Sequence, residues 1–504
     1  MLATVLSCAL VGIEAHPVQV EVDLTAGLPQ TATVGLPDHV VRESKDRVRA
    51  ALRNSGFDIP PRRITVNLAP AHLRKEGAAY DLPIALGILA ATGHETRRGL
   101  GSVVIAGELA LDGSVRPIRG ALSIAAAARA LGCTRLIVPH ANAAEAAVVS
   151  GIAVFGVASL REAVAVLTDA EPLAAPTPRT LPPPDTDDDA IDFRDVRGQE
   201  LAKRALEIAA AGGHNTLLIG PPGAGKTMLA RRLLTILPPL EIEAALEVTK
   251  IHSAAGLLQD RPLVTGRPFR APHHTISAAG LFGGGGWPRP GELALAHHGV
   301  LFLDELAEFR RDVLEGLRQP LEERKVLVAR VGWRITYPAR VMLLAATNPC
   351  ACGFRGDPTR VCHCTPHRLA QYRARLSGPL LDRVDLHVDV AAVRYRELAD
   401  NATGEPSRVM RARVVAAREL QQRRFAESAT TCNAEMTGRE LRRVARPDAS
   451  GAAILERAMS RLGLSARAYT RVLKVARTIA DLEGADDVGA VHVAEAVQYR
   501  SLDR

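Results

Sequence analysis

The sequence has no long apolar run, few aromatic side chains and no pattern of paired cysteines. Its 504 residues contain no apolar run near the ~20 that a membrane-spanning helix needs, so we expect no such helix. The apolar N-terminus lacks the basic residues of a signal peptide and leads into an alternating strand pattern at Val18–Val22. Seven cysteines, an odd number, suit a reducing compartment better than a disulfide framework. We therefore expect a cytoplasmic protein.

Length and charge set the next limits. A chain of 504 residues is too long for one hydrophobic core, and roughly two to four domains are expected. The net charge of +8 favours an anionic partner, although a solvated basic surface would explain it equally well.

Four segments follow from the patterns along the chain. Residues 1–170 alternate short β-branched strands with alanine-rich helices, which predicts an α/β domain with an Asp-Gly hairpin at Gly107–Gly113. Residues 171–190 are rich in proline and end in an acidic run, which predicts an extended linker. Residues 191–395 show the strands of a parallel-sheet nucleotide-binding core. Residues 396–504 show helical spacing of apolar residues, which predicts a helical lid.

A phosphate-binding loop is predicted at Gly220–Thr227, which reads G-x-x-x-x-G-K-T between an apolar run and a helical pattern. Glycines let backbone N–H groups surround an anion, and the following helix N-terminus adds partial positive charge. Lys226 is expected to reach the β- and γ-phosphates of ATP, and Thr227 to bind Mg²⁺. The alternative is a simple glycine turn. The predicted cofactor-binding residues here are Gly220, Pro221, Pro222, Gly223, Ala224, Gly225, Lys226 and Thr227.

Two carboxylates follow an apolar run in Gly299–Glu305, which predicts a buried parallel strand with its acids at the carboxyl end. Asp304 is expected to hold Mg²⁺ through water, and Glu305 to orient and deprotonate the attacking water. An apolar run followed by two acids is common on its own. Its place downstream of a phosphate loop favours the catalytic interpretation.

Three further polar residues complete the predicted site. Asn348 ends another apolar strand, where it could contact the γ-phosphate, and the alternative is a turn before Pro349. Arg383 is a candidate arginine finger acting across a subunit interface. Arg467, in the helical lid, is expected to sense the γ-phosphate. Either arginine alone could be a solvated surface residue. Residues 196–199 are expected to pack on the adenine.

Two insertions in the core are candidates for binding a ligand. Residues 280–287 are glycine-rich and end in Trp287. Residues 325–337 alternate around a Val-Gly turn and predict a β-hairpin. Basic and aromatic side chains suit a single DNA strand, since they supply charge for phosphates and faces for base stacking. The alternative is an edge hairpin that packs on the sheet. The candidate DNA-binding residues are Lys325, Arg330, Trp333 and Arg334.

Four of the cysteines cluster as two C-x-C pairs, Cys350 with Cys352 and Cys362 with Cys364. Four thiolates can form a tetrahedral structural zinc site. C-x-C is a poorer chelating motif than C-x-x-C, and His363 and His367 could compete as ligands. The alternative is a loop of reduced thiols.

The first segment resembles the proteolytic domain of Lon proteases, an S5-type α/β fold. The similarity is carried by Arg74–Pro83, Ala106–Leu109 and Val115–Gly120. Lon uses a Ser–Lys dyad, and the resemblance places its members at about Ala79 and Leu122, which can act neither as nucleophile nor as base. We therefore expect a Lon-like shell without peptidase activity, used for assembly or partner binding.

Nearly the whole chain resembles the ComM/YifB family of magnesium-chelatase-like AAA+ ATPases. The shared parts are the Lon-like front, the linker, the five motifs above, Arg267–Thr275 and Pro290–His297. The resemblance implies a hexameric ATP- and Mg²⁺-dependent motor acting on single-stranded or branched DNA. It also implies branch migration during natural transformation, with recombination proteins as partners.

Two other function classes stay open at this stage. One is a protein-remodelling ATPase of the magnesium-chelatase kind, although the Lon-like front departs from that subunit's usual layout. The other is an ATP-dependent peptidase, which the missing dyad argues against.

Overall fold

The structure, a computed structural model, describes residues 1–168, 191–258, 261–285, 289–330, 333–357, 360–376, 378–393 and 404–500. The chain divides into two compact units. The first comprises Met1–Pro183 and Ile242–Thr265, and the second comprises Pro184–Glu241 and Gly266–Arg504. The predicted linker, 171–190, lies outside the described residues. No helix among the described residues is long and apolar enough to cross a membrane.

The strands, in chain order, are β1 Leu2–Val11, β2 Glu14–Thr25, β3 Gln30–Val34, β4 Arg63–Ala69, β5 Val103–Ile105, β6 Glu108–Leu109, β7 Val115–Arg116, β8 Arg135–Pro139, β9 Ala153–Val157, β10 Thr216–Ile219, β11 Phe269–Arg270, β12 Gly283–Gly284, β13 Arg289–Pro290, β14 Val300–Leu303, β15 Lys325–Arg330, β16 Trp333–Pro338, β17 Met342–Thr347 and β18 Leu386–Asp389.

The α-helices, in chain order, are α1 His39–Asn54, α2 Asp81–Ala91, α3 Ala121–Ala130, α4 His140–Ala146, α5 Leu160–Thr168, α6 Glu200–Gly212, α7 Lys226–Ile236, α8 Ile242–Ala255, α9 Ala278–Phe282, α10 Glu292–Leu295, α11 Arg311–Gly316, α12 Arg318–Glu323, α13 Pro366–Arg375, α14 Gly378–Leu381, α15 Ser407–Arg424, α16 Gly438–Val444, α17 Ala449–Leu462, α18 Ala466–Leu482 and α19 Ala490–Gln498.

A seven-stranded mixed sheet forms the centre of the first unit, in the order β3-β4-β2-β1-β5-β8-β9. The alternation in β2 buries Val18, Val20 and Val22 on one face, which confirms the predicted strand. The β6–β7 hairpin confirms the predicted Asp-Gly turn, where Gly113 has a φ of 88° and the Asp112 carboxylate accepts from the Ser114 N–H at 2.9 Å. The first segment is therefore the expected α/β structure.

Helix α2 was not predicted from the sequence. All of its residues, Asp81–Ala91, are buried. A helix covered on every side has no polar face, so its sequence lacks the apolar period that reveals a surface helix.

Residues 242–265 pack within the first unit, although the sequence places them in the nucleotide-binding core. Helix α8 contributes Ser253, whose hydroxyl accepts from the Gly120 N–H at 2.9 Å and donates to the buried carboxylate of Glu145. Ser253 is buried, so these polar partners satisfy a group that would otherwise cost stability. These pairings join residues more than a hundred positions apart, which no local pattern reports.

The second unit contains a five-stranded sheet in the order β11-β14-β17-β10-β18, in which every neighbouring pair is parallel. Strands β10, β14 and β17 are buried at every residue. Continuous apolar strands are typical of a parallel sheet covered on both faces, so the predicted parallel sheet is confirmed. The carboxyl ends of these three strands meet at one edge of the sheet.

The C-terminal helices share a hydrophobic core with this sheet. Buried residues of α15 and α18 pack with those of α6, α7 and the strands. The helical pattern predicted for 396–504 is confirmed at α15–α19, while residues 394–403 lie outside the described residues.

Both predicted insertions form two-stranded sheets of their own. β15 and β16 pair antiparallel from Lys325 with Pro338 to Arg330 with Trp333, which confirms the predicted hairpin. β12 and β13 pair through Gly283 and Gly284, whereas residues 286–288, including Trp287, lie outside the described residues.

Candidate active site

The loop between β10 and α7 turns tightly against the sheet. Gly223 and Gly225 have φ angles of 79° and 84°, in the left-handed region that favours glycine. A Cβ on Gly220 would come within 2.2 Å of the Val390 carbonyl oxygen, so no larger residue fits there. Helix α7 begins at Lys226, and the first N–H groups of a helix have no intrahelical acceptor. The loop therefore offers backbone donors for an anion at the carboxyl edge of the sheet.

The Lys226 side chain lies within this loop. Its ammonium donates to the carbonyl oxygens of Gly220 at 2.7 Å and Pro221 at 3.0 Å, and to Oδ1 of Asn348 at 3.2 Å. Burial lowers the pKa of Lys226, and the nearby carboxylates of the site oppose that shift. All three acceptors are neutral, so the positive charge of Lys226 is left for a phosphate. The structure thus brings the predicted Lys226 and Asn348 into contact.

The predicted magnesium residues also meet. The Thr227 hydroxyl donates to Oδ2 of Asp304 at 2.7 Å, and the backbone N–H of Glu305 donates to Oδ1 of Asp304 at 2.9 Å. A hydroxyl and a carboxylate are hard oxygen ligands of the kind Mg²⁺ prefers, usually alongside water and substrate phosphates. The pair lies open to solvent beside the loop, which leaves room for both. These residues therefore fit the predicted ion.

Glu305 is held in a strained turn with its carboxylate exposed. Its φ is 53°, a left-handed value that is uncommon outside glycine. Its Oε2 lies 3.4 Å from Nδ1 of His274, whose ring lies against that of His273 at a centroid distance of 4.0 Å and an interplanar angle of 35°. Sequence reasoning assigned no role to His274. Its only signal was the Pro-His-His-Thr stretch within Arg267–Thr275.

Neither predicted arginine lies at the phosphate loop of its own chain. The carbonyl of Arg383 accepts from Asn215 Nδ2 at 3.0 Å, and Asn215 precedes β10 whereas the loop follows it. The Arg383 side chain is 9% exposed and pairs with Glu322. Arg467 is exposed and pairs with Oδ2 of Asp382 at 3.0 Å, next to Arg383. The roles predicted for both arginines remain predictions.

Of the residues expected near the adenine, Gln199 contacts the phosphate loop. Its Nε2 donates to the carbonyl oxygens of Ala224 at 2.6 Å and Ala391 at 3.2 Å. Its φ of 57° places the start of α6 against the loop.

The four clustered cysteines converge in space directly after β17. All four Sγ atoms lie within 4.8 Å of one another, and the Sγ–Sγ distance is 3.4 Å for Cys350–Cys352 and 3.7 Å for Cys350–Cys362. Thiolates about 2.3 Å from a tetrahedral zinc ion would lie about 3.8 Å apart, so the cluster has nearly the required size. A hydrogen bond from the Phe354 N–H is the main cause that lowers the pKa of Cys352, which favours its thiolate.

The β15–β16 hairpin has one buried and one exposed face. Val326, Val328, Ile335 and Tyr337 are buried. Lys325 and Arg334 lie on the exposed face, whereas the side chains of Arg330 and Trp333 lie outside the described residues. The hairpin therefore keeps two of its predicted basic residues in solvent.

The positions of the absent Lon dyad lie in the first unit. The Ala79 carbonyl accepts from the Gly107 N–H at 2.9 Å, and Leu122 is fully buried in α3. The neighbouring Ser123 hydroxyl donates to the Ile13 carbonyl at 2.6 Å. Neither dyad position carries a group that can attack or activate a peptide bond.

A phosphate loop, paired carboxylates and a polar amide at the carboxyl edge of one parallel sheet define a P-loop ATPase of the AAA+ class. Family models agree: "Magnesium chelatase, subunit ChlI" matches residues 192–398, "Subunit ChlI of Mg-chelatase" residues 20–142, and the ChlI C-terminal model residues 404–500.

Relatives that match the whole chain identify its family within the AAA+ class. YifB of Salmonella typhimurium is 46% identical over 505 residues, covering 100% of this chain and 98% of that protein. The competence protein ComM of Haemophilus influenzae is 43% identical over 507 residues, again covering 100% and 98%. Lon protease 2 of Bacillus subtilis is 30% identical over 145 residues, 27% of this chain and 26% of that protein. The chain belongs to the ComM/YifB family of magnesium-chelatase-like AAA+ ATPases.

Proposed function

We propose that this protein is an ATP-driven motor on DNA, built as a homo-hexamer, which promotes branch migration while transforming DNA is integrated. The observation that carries the proposal is the nucleotide site. Lys226, Thr227, Asp304 and Asn348 converge there with the charges and oxygens that phosphoryl transfer to water needs. Glu305 supplies the base beside them. A role in competence is supported by the name of the ComM relative.

The position of Arg383 supports a ring. β10 separates Asn215, which binds the Arg383 carbonyl, from the phosphate loop. Four strand residues span about 13 Å, so the backbone of Arg383 lies at the edge away from its own nucleotide, where its guanidinium pairs with Glu322. Only a nucleotide held by another subunit is within reach of a finger at that edge. Such a contact requires the pair with Glu322 to open.

The exposed face of the β15–β16 hairpin supports DNA as the cargo. Its two-stranded sheet is separate from the main sheet, and it exposes Lys325 and Arg334 beside a buried apolar face. Cations on the exposed face of a hairpin can track a phosphate backbone.

The cysteine cluster supports a structural zinc ion. Cys350, Cys352, Cys362 and Cys364 supply four sulfur ligands, which is a closed tetrahedral set with no position left for a substrate. Its role is therefore to hold the loop after β17 rather than to take part in hydrolysis.

A protein-remodelling ATPase of the magnesium-chelatase kind is the second candidate. The family models that match this chain are those of a magnesium-chelatase subunit, and they cover both the ATPase segment and the C-terminal helices.

One series of assays separates the two candidates. ATPase rate is measured with and without single-stranded DNA, followed by unwinding and branch migration on forked and four-way substrates. Stimulation by DNA and movement of the four-way junction are expected. Glu305→Gln is the matched control, since it should keep ATP binding while losing both hydrolysis and junction movement. A protein that hydrolyses ATP but binds no DNA at low salt would exclude the DNA motor and favour remodelling.

A further inference from the structure

A polar cavity lies at the amino edge of the five-stranded sheet, away from the nucleotide site. It has a volume of about 290 Å³ and is lined by Asn215, Gly299 and Met342, which stand where β10, β14 and β17 begin. The phosphate loop and its carboxylates follow the other ends of these strands. Four strand residues span about 13 Å, so one ligand cannot contact both places.

The lining of this cavity is strongly basic. It includes seven cationic side chains and three carboxylates. Each carboxylate is paired with one of the cations, as Glu322 with Arg383, Asp385 with Arg471 and Glu435 with Arg324. The cations that remain are Arg267, Arg340, Arg418 and Lys474. Within the described part of the chain, no carboxylate lies at ion-pair distance from these four.

Neutral backbone carbonyls accept hydrogen bonds from three of them. The shortest donor–acceptor distances are 2.5 Å for Arg267, 2.9 Å for Arg418 and 2.8 Å for Lys474. These contacts fix the side chains without cancelling their charge. Burial, together with the nearby positive charge of Arg418, lowers the pKa of Arg267 to about 10, and burial also lowers the pKa of Lys474. Positive charges without an ion-pair partner in a partly desolvated cavity are costly until an anion enters.

Arg340 is the cation best placed to bind a ligand directly. Its backbone N–H donates to Nδ1 of His297 at 2.9 Å, which fixes its position at the end of the hairpin. Its guanidinium, half-buried, has no acceptor among the residues that the structure describes. A planar guanidinium with open donors matches the oxygens of a phosphate group.

We propose that this cavity binds a compact, multivalent phosphate, of the size and charge of pyrophosphate. Arg340 donates to it directly, and the charges of Arg267, Arg418 and Lys474 surround it. The phosphate oxygens can come from a free small molecule or from a nucleotide held by a neighbouring subunit. We propose that the ligand is the free small molecule.

The test uses the full-length protein carrying Lys226→Ala, which removes phosphate binding at the nucleotide loop of every subunit. Calorimetric titration with sodium pyrophosphate is expected to show one site per chain, and pyrophosphate is expected to raise the unfolding midpoint. Adding Arg340→Gln should weaken binding by about tenfold or more, because it removes a charge-assisted contact. Arg340→Glu should abolish binding.

Arg439→Gln is the matched control, because Arg439 is an exposed arginine of the same unit outside the cavity. It should leave pyrophosphate affinity unchanged. Unfolding midpoints without pyrophosphate, compared across the variants, separate lost binding from lost folding. If pyrophosphate fails to bind the Lys226→Ala protein, the binding site is the phosphate loop or a partner's nucleotide site, and the proposal is overturned. Equal affinity in the two Arg340 variants and the control would overturn it too.

Discussion

The Thr227 hydroxyl donates a 2.7 Å hydrogen bond to Oδ2 of Asp304, joining the first turn of α7 to the residue that follows β14. The two residues are 77 positions apart, and the parallel order of β10, β17 and β14 brings them to one edge. Hydroxyl and carboxylate together form an oxygen pair for Mg²⁺.

Thr227→Ala should therefore lower ATP hydrolysis by about 100-fold, since the ion that neutralises developing phosphate charge loses a ligand. Steady-state phosphate release, measured over a magnesium titration, checks this. Thr227→Ser keeps the hydroxyl and should retain most activity at higher magnesium. An alanine variant within twofold of the unchanged protein would show that Thr227 is not a ligand.

The sequence predicts those residues of this site that lie in or next to a recognisable local pattern. β10, β14 and β17 are largely apolar runs. Asp304 and Asn348 follow β14 and β17 directly, and Lys226 follows β10 after the loop Gly220–Gly225. In a parallel sheet those ends share an edge, so the meeting of Lys226 with Asn348 follows from the strand pattern together with the phosphate-loop motif.

The contacts that the sequence did not predict depend on distant packing. His274 meets Glu305 because the chain between β11 and α9 passes the end of β14, and two adjacent histidines carry no periodic signal. Helix α8 joins the first unit through Ser253, whose partner Glu145 is 108 residues away. Arg467 carried a predicted role from its motif, but its ion pair with Asp382 depends on where α18 begins in space.

The exposed hairpin residues lead to a prediction about coupling to DNA. Lys325→Ala and Arg334→Ala should keep basal ATPase activity, because neither side chain contacts the nucleotide site. DNA stimulation should fall several-fold, and the salt dependence of DNA binding should weaken by about one unit of slope for each lost cation. ATPase rates with and without single-stranded DNA, at several salt concentrations, measure both effects.

Thr336→Ala is the control for these variants, since Thr336 is uncharged and lies on the same exposed face of β16. If DNA stimulates the variants that lack these cations as strongly as it stimulates the Thr336 variant, this hairpin does not contact DNA.

The cysteine cluster predicts one zinc ion per chain. Elemental analysis of purified protein should find a ratio near one, and Cys352→Ser should bring it well below that. A Cβ on Gly353 would lie 2.7 Å from Cδ of Pro222, so the cysteine loop packs directly on the phosphate loop. Loss of zinc should therefore raise the KM for ATP, by about tenfold if the loop is displaced by a fraction of an ångström.

Cys133→Ser is the control for the zinc measurement, because Cys133 belongs to the first unit and lies outside the cluster. A zinc ratio far below one in the unchanged protein would show that the four thiols are simply reduced. If the unchanged protein holds one zinc ion per chain and the Cys352 variant keeps the same KM for ATP, the zinc site does not affect the nucleotide site.

Acid sensitivity of the second unit is predicted from His387. This residue of β18 is 2% exposed, and neither ring nitrogen has a hydrogen-bond partner among the described residues. Burial, followed by the nearby charge of Arg500, lowers the pKa of His387 to about 3. The unfolded chain takes up a proton near pH 6.5, whereas the folded protein does not, so stability is complete above that pH and falls as the pH drops towards 3.

Between pH 7 and pH 5 this histidine alone should cost about 2 kcal/mol, since each pH unit below 6.5 contributes about 1.4 kcal/mol. His387→Leu removes the titrating ring and the two unpaired nitrogens. The variant should be at least as stable at pH 7 and should lose about 2 kcal/mol less on acidification. Chemical unfolding of both proteins at the two pH values measures the difference, with the exposed His72→Leu as control. Equal acid sensitivity in all three proteins would mean that the ring of His387 gains a proton without unfolding the strand.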